Sequence, residues 1–116
     1  MAKPADKEAL QTYREVLLEF GGFKDYVIWR PRAFGWVSAE LDGMTAKYFV
    51  ELMQDFVRRG GEIDQVIETR EDYVYYRFHY DLRMPVSGRS LYVETAFEHK
   101  PDIEDCTIII VNVKDK

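Results

Sequence analysis

Cysteine is nearly absent from this chain. Cys106 is the one thiol among 116 residues, so no internal disulfide can form and no cysteine-based zinc site fits. At the head of an apolar run, it reads as a small buried hydrophobe. Long hydrophobic runs are missing as well. The longest, Ile108 to Val111, is far too short to cross a bilayer, and no membrane partner is expected. The opening MAKPADKEALQTY lacks the apolar core of a secretory signal, which makes a reducing cytoplasm the expected location. Basic excess is lacking: 16 Lys and Arg stand against 21 Asp and Glu, a formal charge of -5. That disfavours affinity through broad phosphate neutralisation but leaves room for a compact basic patch. Histidine is scarce, with only His79 and His99. The pairs Gly21-Gly22 and Gly60-Gly61 lack the context of a phosphate loop. No repeat, linker or low-complexity stretch interrupts the chain, and no metal or cofactor is expected.

What is present describes one folded domain over residues 1–116. Apolar residues make up 47% and aromatics 15%, and a chain of this length can bury roughly two thirds of its unfolded surface. Leu10, Tyr13, Leu17 and Phe20 recur at helical spacing over residues 5–20, with Asp6 as N-cap and Gly21-Gly22 as the stop. YVIWR (26–30), closed by Pro31, and FGWVSAEL (34–41) predict a short β-hairpin, with Gly35 as a candidate bulge. Ala46, Phe49, Val50, Met53, Phe56 and Val57 then line one face of a second helix, capped by Thr45 and ended by Gly60-Gly61.

After that helix the apolar period changes from 3.6 to 2. Residues 64–70, 73–83, 89–99 and 106–114 predict four strands joined by ED, MPVSG and KPDIED. Short links between consecutive strands imply an antiparallel meander packed on the helices, an α+β fold. The last strand is apolar on both faces, so it should be central and covered on both sides.

Chemistry concentrates in YVYYRFHYDLR, Tyr73 to Arg83. Alternation sends Val74, Tyr76, Phe78, Tyr80 and Leu82 to the core and Tyr73, Tyr75, Arg77, His79, Asp81 and Arg83 to the other face. Matching apolar sets across the following hairpin pairs Leu82 with Leu91, Tyr80 with Val93 and Tyr76 with Phe97. His79 then faces Glu94, Asp81 faces Tyr92, and Tyr75 faces Glu98. One face would gather Tyr75, Arg77, His79, Asp81, Arg83, Tyr92 and Glu94. A histidine beside a carboxylate can move a proton near neutral pH, arginines can hold phosphate, and tyrosines can stack on bases. The same residues also fit ordinary cross-strand ion pairs on a solvated or helix-covered face. Arg30 and Arg32, between Trp29 and Trp36, form the most basic and aromatic cluster of the first half. They read either as an RNA-facing rim or as a strand end beside core tryptophans.

An amphipathic helix, then GEIDQVIE, GRSLYVETAF and CTIIIVNVKDK, resembles the RelE-like and colicin-D-like small ribonuclease superfamily over residues 45–116. The resemblance implies cleavage of RNA without metal, the 2′-hydroxyl acting as nucleophile and sheet side chains moving protons. It also implies an antitoxin-like protein partner. It carries site roles to Arg89 and Tyr92 in GRSLYV, where several relatives place a histidine at the tyrosine, and a polar position to Asn112. The resulting expectation is a toxin-type endoribonuclease. His79, Glu94 and Tyr92 would be catalytic; Arg77, Arg83, Arg89 and Tyr75 would bind RNA. The alternative is a non-catalytic protein-binding, immunity or regulatory module that uses the same face.

Overall fold

Asp6 opens the first helix by accepting a hydrogen bond from the Ala9 N–H at 3.0 Å, and α1 runs over Lys7–Glu15. The computed structural model describes residues 5–23, 25–71 and 76–116. Past Glu15 the helix widens into a π-turn over Val16–Phe20. Its loosened carbonyls are served by the third helix: Gln54 Nε2 donates to Leu17 O at 2.9 Å, and Arg58 Nη2 donates to Leu18 O at 3.1 Å. Gly21 follows because a Cβ there would lie 2.3 Å from the Leu17 carbonyl oxygen.

Of the expected hairpin over residues 26–41 only the first strand forms. Val27–Trp29 forms strand β1, but Pro31–Glu40 is a helix, α2. Pro31 occupies the first helical turn, where its missing N–H costs nothing and its fixed φ suits the helix. Ala33, Val37 and Leu41 are buried while Gly35 and Ala39, which a strand would set on the same face, are exposed, a pattern that suits a helix. Gly35 is therefore a helical residue, not a bulge. The third helix, α3, spans Ala46–Arg58; Thr45 Oγ1 accepts from the Tyr48 N–H at 3.1 Å. It buries Phe49, Val50, Met53 and Val57, as its apolar stripe predicts.

Strands β2 (Ile63–Ile67), β3 (Phe78–Val86), β4 (Arg89–Glu98) and β5 (Thr107–Asp115) complete a five-stranded sheet of order β1-β5-β4-β3-β2. The four later strands form the expected antiparallel meander, and β1 adds to β5 in parallel, so the sheet is mixed. β5 lies inside the sheet with Ile108, Ile109, Ile110 and Val111 all buried, which accounts for its two-sided apolar sequence. Cys106 is buried just before it.

The β3–β4 register is two residues from the expected one. Ser87 and Gly88, at φ of 50° and 79°, make a two-residue turn of the kind that matches strand twist. Met84 to Val86 therefore stays in the strand instead of joining the loop. Leu82 faces Val93, Tyr80 faces Thr95, Asp81 faces Glu94, Arg83 faces Tyr92 and His79 faces Ala96. A two-residue shift keeps every side chain on its face. The helix-side core thus contains Phe78, Tyr80, Leu82, Leu91, Val93 and Phe97 as expected. Tyr76 does not join it. β3 begins only at Phe78, so its alternation does not reach back to Tyr76, which packs against Ala96, Ile109 and Val111 on the opposite face. Tyr73, Val74 and Tyr75, expected in the same strand, lie outside the described residues.

Candidate functional site on the open sheet face

The three helices pack on one face of the sheet. The other face, free of helices among the described residues, carries His79, Asp81 and Arg83 from β3, Tyr92, Glu94 and Ala96 from β4, and Ile109, Val111 and Asn112 from β5. Asp81, Glu94, Ala96, Ile109 and Val111 are buried there, the last three packed with Tyr76. Between Glu94 and Thr95 the β4–β5 pairing skips Val111, an irregularity that sets Val111 and Asn112 together beside Glu94. Thr95, on the helix side by the alternation of β4, has its hydroxyl 2.7 Å from that of the fully buried Tyr13 and donates to Tyr80 O at 2.8 Å.

His79 Nδ1 lies 2.8 Å from Asp81 Oδ1. With Asp81 ionised its carboxylate can only accept, which puts the hydrogen on Nδ1 and leaves the lone pair on Nε2. The Asp81 side chain is 4% exposed and that of His79 17%. Burial pushes the Asp81 carboxyl up, against the opposing pull of His79. The Tyr92 phenol is pushed up by its own burial and by the neighbouring Asp81 and Glu94 carboxylates. The expected partner of His79, Glu94, instead binds Arg70, because the register sets Asp81 rather than His79 opposite Glu94.

Arg70 arrives from the segment that follows β2. Its guanidinium bonds Glu68 through Nε at 2.8 Å and Nη2 at 3.0 Å, and it also bonds Glu94. Hydrogen bonding to Arg70 brings the Glu68 carboxyl down to about 2, and the two carboxylates hold Arg70 firmly charged. Beside this clamp an open depression of about 540 Å³ is lined by Arg30, Pro31, Arg32, Arg70, Glu94, Val111 and Asn112. Arg30 and Arg32 form no ion pair among the described residues. The depression is the most cationic part of this face.

The remaining expected site residues separate. Arg83 is on the face, stacked over the Tyr92 ring at 5.5 Å and paired with Asp64. Arg77, expected on the same face, turns to the helix side, where it bonds Asp6 at 3.0 Å and lies over the Phe78 ring. It precedes β3 and so escapes the strand's alternation. Arg89 sits at the far end of β4, bonded to Asp115 and Glu40 and placed over Trp36, away from His79. Tyr75 falls outside the described residues. Arg70 was not foreseen: it stands in a loop, two residues after Glu68, with no periodicity to signal a partner 24 residues further on.

Among the described residues no group of three or more His, Cys, Asp and Glu side chains is arranged to hold a metal ion. No described helix is long and apolar enough to cross a membrane. Comparison of the chain with protein-family models, curated proteins and solved structures found no match.

Proposed function

We propose that the helix-free sheet face binds RNA at its exposed arginine-lined depression and cleaves its phosphodiester bonds by acid–base chemistry. The observation that carries this reading is the coexistence on one helix-free face of the His79–Asp81 pair and the depression lined by Arg30, Arg32 and Arg70. In this scheme Nε2 of His79 takes the proton of the 2′-hydroxyl as its oxygen attacks the adjacent phosphorus. The bond from phosphorus to the 5′-oxygen breaks, leaving a 2′,3′-cyclic phosphate, and the departing 5′-oxygen takes a proton from water. Asp81 orients the ring and stabilises its charged form. The arginines hold phosphate oxygens, for which the guanidinium fork is suited. Tyr92, within reach of Asp81 and beneath Arg83, serves as a stacking surface.

The test is cleavage of labelled single-stranded RNA by the wild-type chain and by His79→Ala. The variant should lose about 10²–10⁴-fold in rate, the range for an acid–base group, while its melting temperature stays close to wild type. Equal rates in the two proteins, or no cleavage by either, would remove the catalytic reading.

A second reading has its own support. Arg70 and Arg83 are already neutralised by Glu68, Glu94 and Asp64, and the chain carries -5 overall. Such a face also suits a basic protein partner in a non-catalytic module. Capture of a basic protein, with no RNA binding at low ionic strength, would favour it.

A further inference from the structure

β1 lies at the margin of the sheet, and its hydrogen bonds show which of its groups face outward. Tyr26 O accepts from Ile108 N, and Arg30 N donates to Ile110 O. In a parallel pair alternate residues face the neighbour, so Tyr26, Ile28 and Arg30 turn their backbone towards β5. Val27 and Trp29 turn theirs to the open edge. Open edges are usually blunted by a charge, a proline or a bulge within the strand. Val27–Trp29 has none of these, and only its shortness limits pairing.

Large apolar side chains gather at this edge. Phe23 is 65% exposed, Ile28 45% and Phe34 41%. Phe34 lies edge-on to Trp29 at 5.8 Å. A groove of about 230 Å³ runs beside the strand, lined among others by Phe23, Val27, Trp29, Lys47 and Glu51. Lys47 and Glu51 stand four apart on α3, yet neither forms an ion pair within the described residues. An apolar centre with one unpaired cation and one unpaired anion beside it is self-complementary. That is what an isologous contact requires, and it adds no net charge to the contact despite the -5 of each chain.

We infer that the β1 edge is an interface between two copies of this chain, paired antiparallel about a two-fold axis at Ile28. Ile28 then faces its own copy. Val27 faces Trp29 of the other chain, and the outward groups exchange four hydrogen bonds. The exposed aromatics supply the apolar contact, and Lys47 of each chain meets Glu51 of the other. The two sheets become one of ten strands with both open faces on the same side. The two arginine depressions then lie on one continuous surface.

The test is sedimentation of the full chain from micromolar to millimolar concentration. Wild type should show a concentration-dependent two-chain species. Ile28→Glu, at an exposed position, should sediment as a single chain with an unchanged far-UV spectrum. Lys47→Glu sets like charges together and should weaken association about tenfold or more; Lys47→Glu/Glu51→Lys should restore it. Lys47 and Glu51 are both exposed, so the charge swap remains readable even if Ile28→Glu disturbs folding. A single-chain mass across the whole range would overturn the inference, as would a dimer indifferent to the charge swap.

Discussion

Removing the Arg70 guanidinium should set two buried carboxylates side by side with no cation between them. The side chains of Glu68 and Glu94 are 3% and 7% exposed, and that of Arg70 is 45% exposed. Breaking a buried ion pair by deleting one partner costs about 3–5 kcal/mol. Here the guanidinium is nearly half in water, so screening reduces the expectation for Arg70→Ala to about 2 kcal/mol. With an unfolding entropy of about 2.1 cal/mol/K per residue, that lowers the melting temperature by roughly 8 °C. Glu94→Gln placed on Arg70→Ala removes one of the facing charges and should recover about 1 kcal/mol of the loss. Acid supplies a second signature. Arg70 lowers the Glu68 carboxyl from its ordinary 4.5 to about 2. A lowered carboxyl stabilises the fold above its unfolded value, and the contribution disappears as pH falls through the folded value. The gap between wild type and Arg70→Ala should therefore be full at neutral pH and close between pH 4.5 and about 2. Thermal melts at pH 7 and pH 3 measure both effects. A gap of equal size at the two pH values, or a variant melting indistinguishably from wild type at pH 7, would refute the clamp.

Thr95→Val should cost about 1–3 kcal/mol in urea melts, because it strands the hydroxyl of the buried Tyr13. Adding Tyr13→Phe should then cost less than it does alone, and additive costs would contradict the shared bond. Burial holds the Asp81 carboxyl above the usual carboxylate range, so its stabilising contribution is present at low pH and lost as pH rises. Asp81→Asn should therefore melt higher relative to wild type as pH rises above the ordinary aspartate value while RNA cleavage falls; a gap that narrows as pH rises would contradict it. Gly88→Ala, at φ 79° with no neighbouring side chain in the way, should lose about 1 kcal/mol from backbone strain alone, read as a lower urea midpoint at an unchanged slope.

What could be read in advance follows the range of the forces involved. The α3 stripe, its Thr45 cap, and strands β4 and β5 were legible because local period and capping chemistry agree with the burial finally reached. Residues 34–41 read as a strand because Pro31 ends a strand and begins a helix with equal facility; Ala33, Val37 and Leu41 share one face in either form, and the exposure of Gly35 and Ala39 that separates the two is set by the fold. The β3–β4 register turned on whether Met84 to Val86 belongs to the turn, a choice made by burial of Met84 and Val86 in the core. From Phe78 onward the assignment of side chains to faces survives that shift because strand alternation has period two, while Tyr76 and Arg77, ahead of the strand, take the opposite faces. The pairings did not, and His79 exchanged Glu94 for Asp81. Arg30 and Arg32 stood out as a basic, aromatic-flanked cluster, and they line the depression. Arg70 and the irregularity at Val111 left no local trace, since both depend on contacts between distant strands.

The open face as an RNA surface is tested most directly by the salt dependence of single-stranded RNA affinity. Three arginines meeting about three phosphates predict a log–log slope near -2, with binding measurable at low ionic strength and lost by physiological salt. Arg30→Ala/Arg32→Ala should flatten that slope by about 1.4, at roughly 0.7 per phosphate contact, and leave the fold intact, since both side chains are exposed. A wild-type slope near zero, absence of binding at low salt, or a double variant that binds as wild type does would contradict the account.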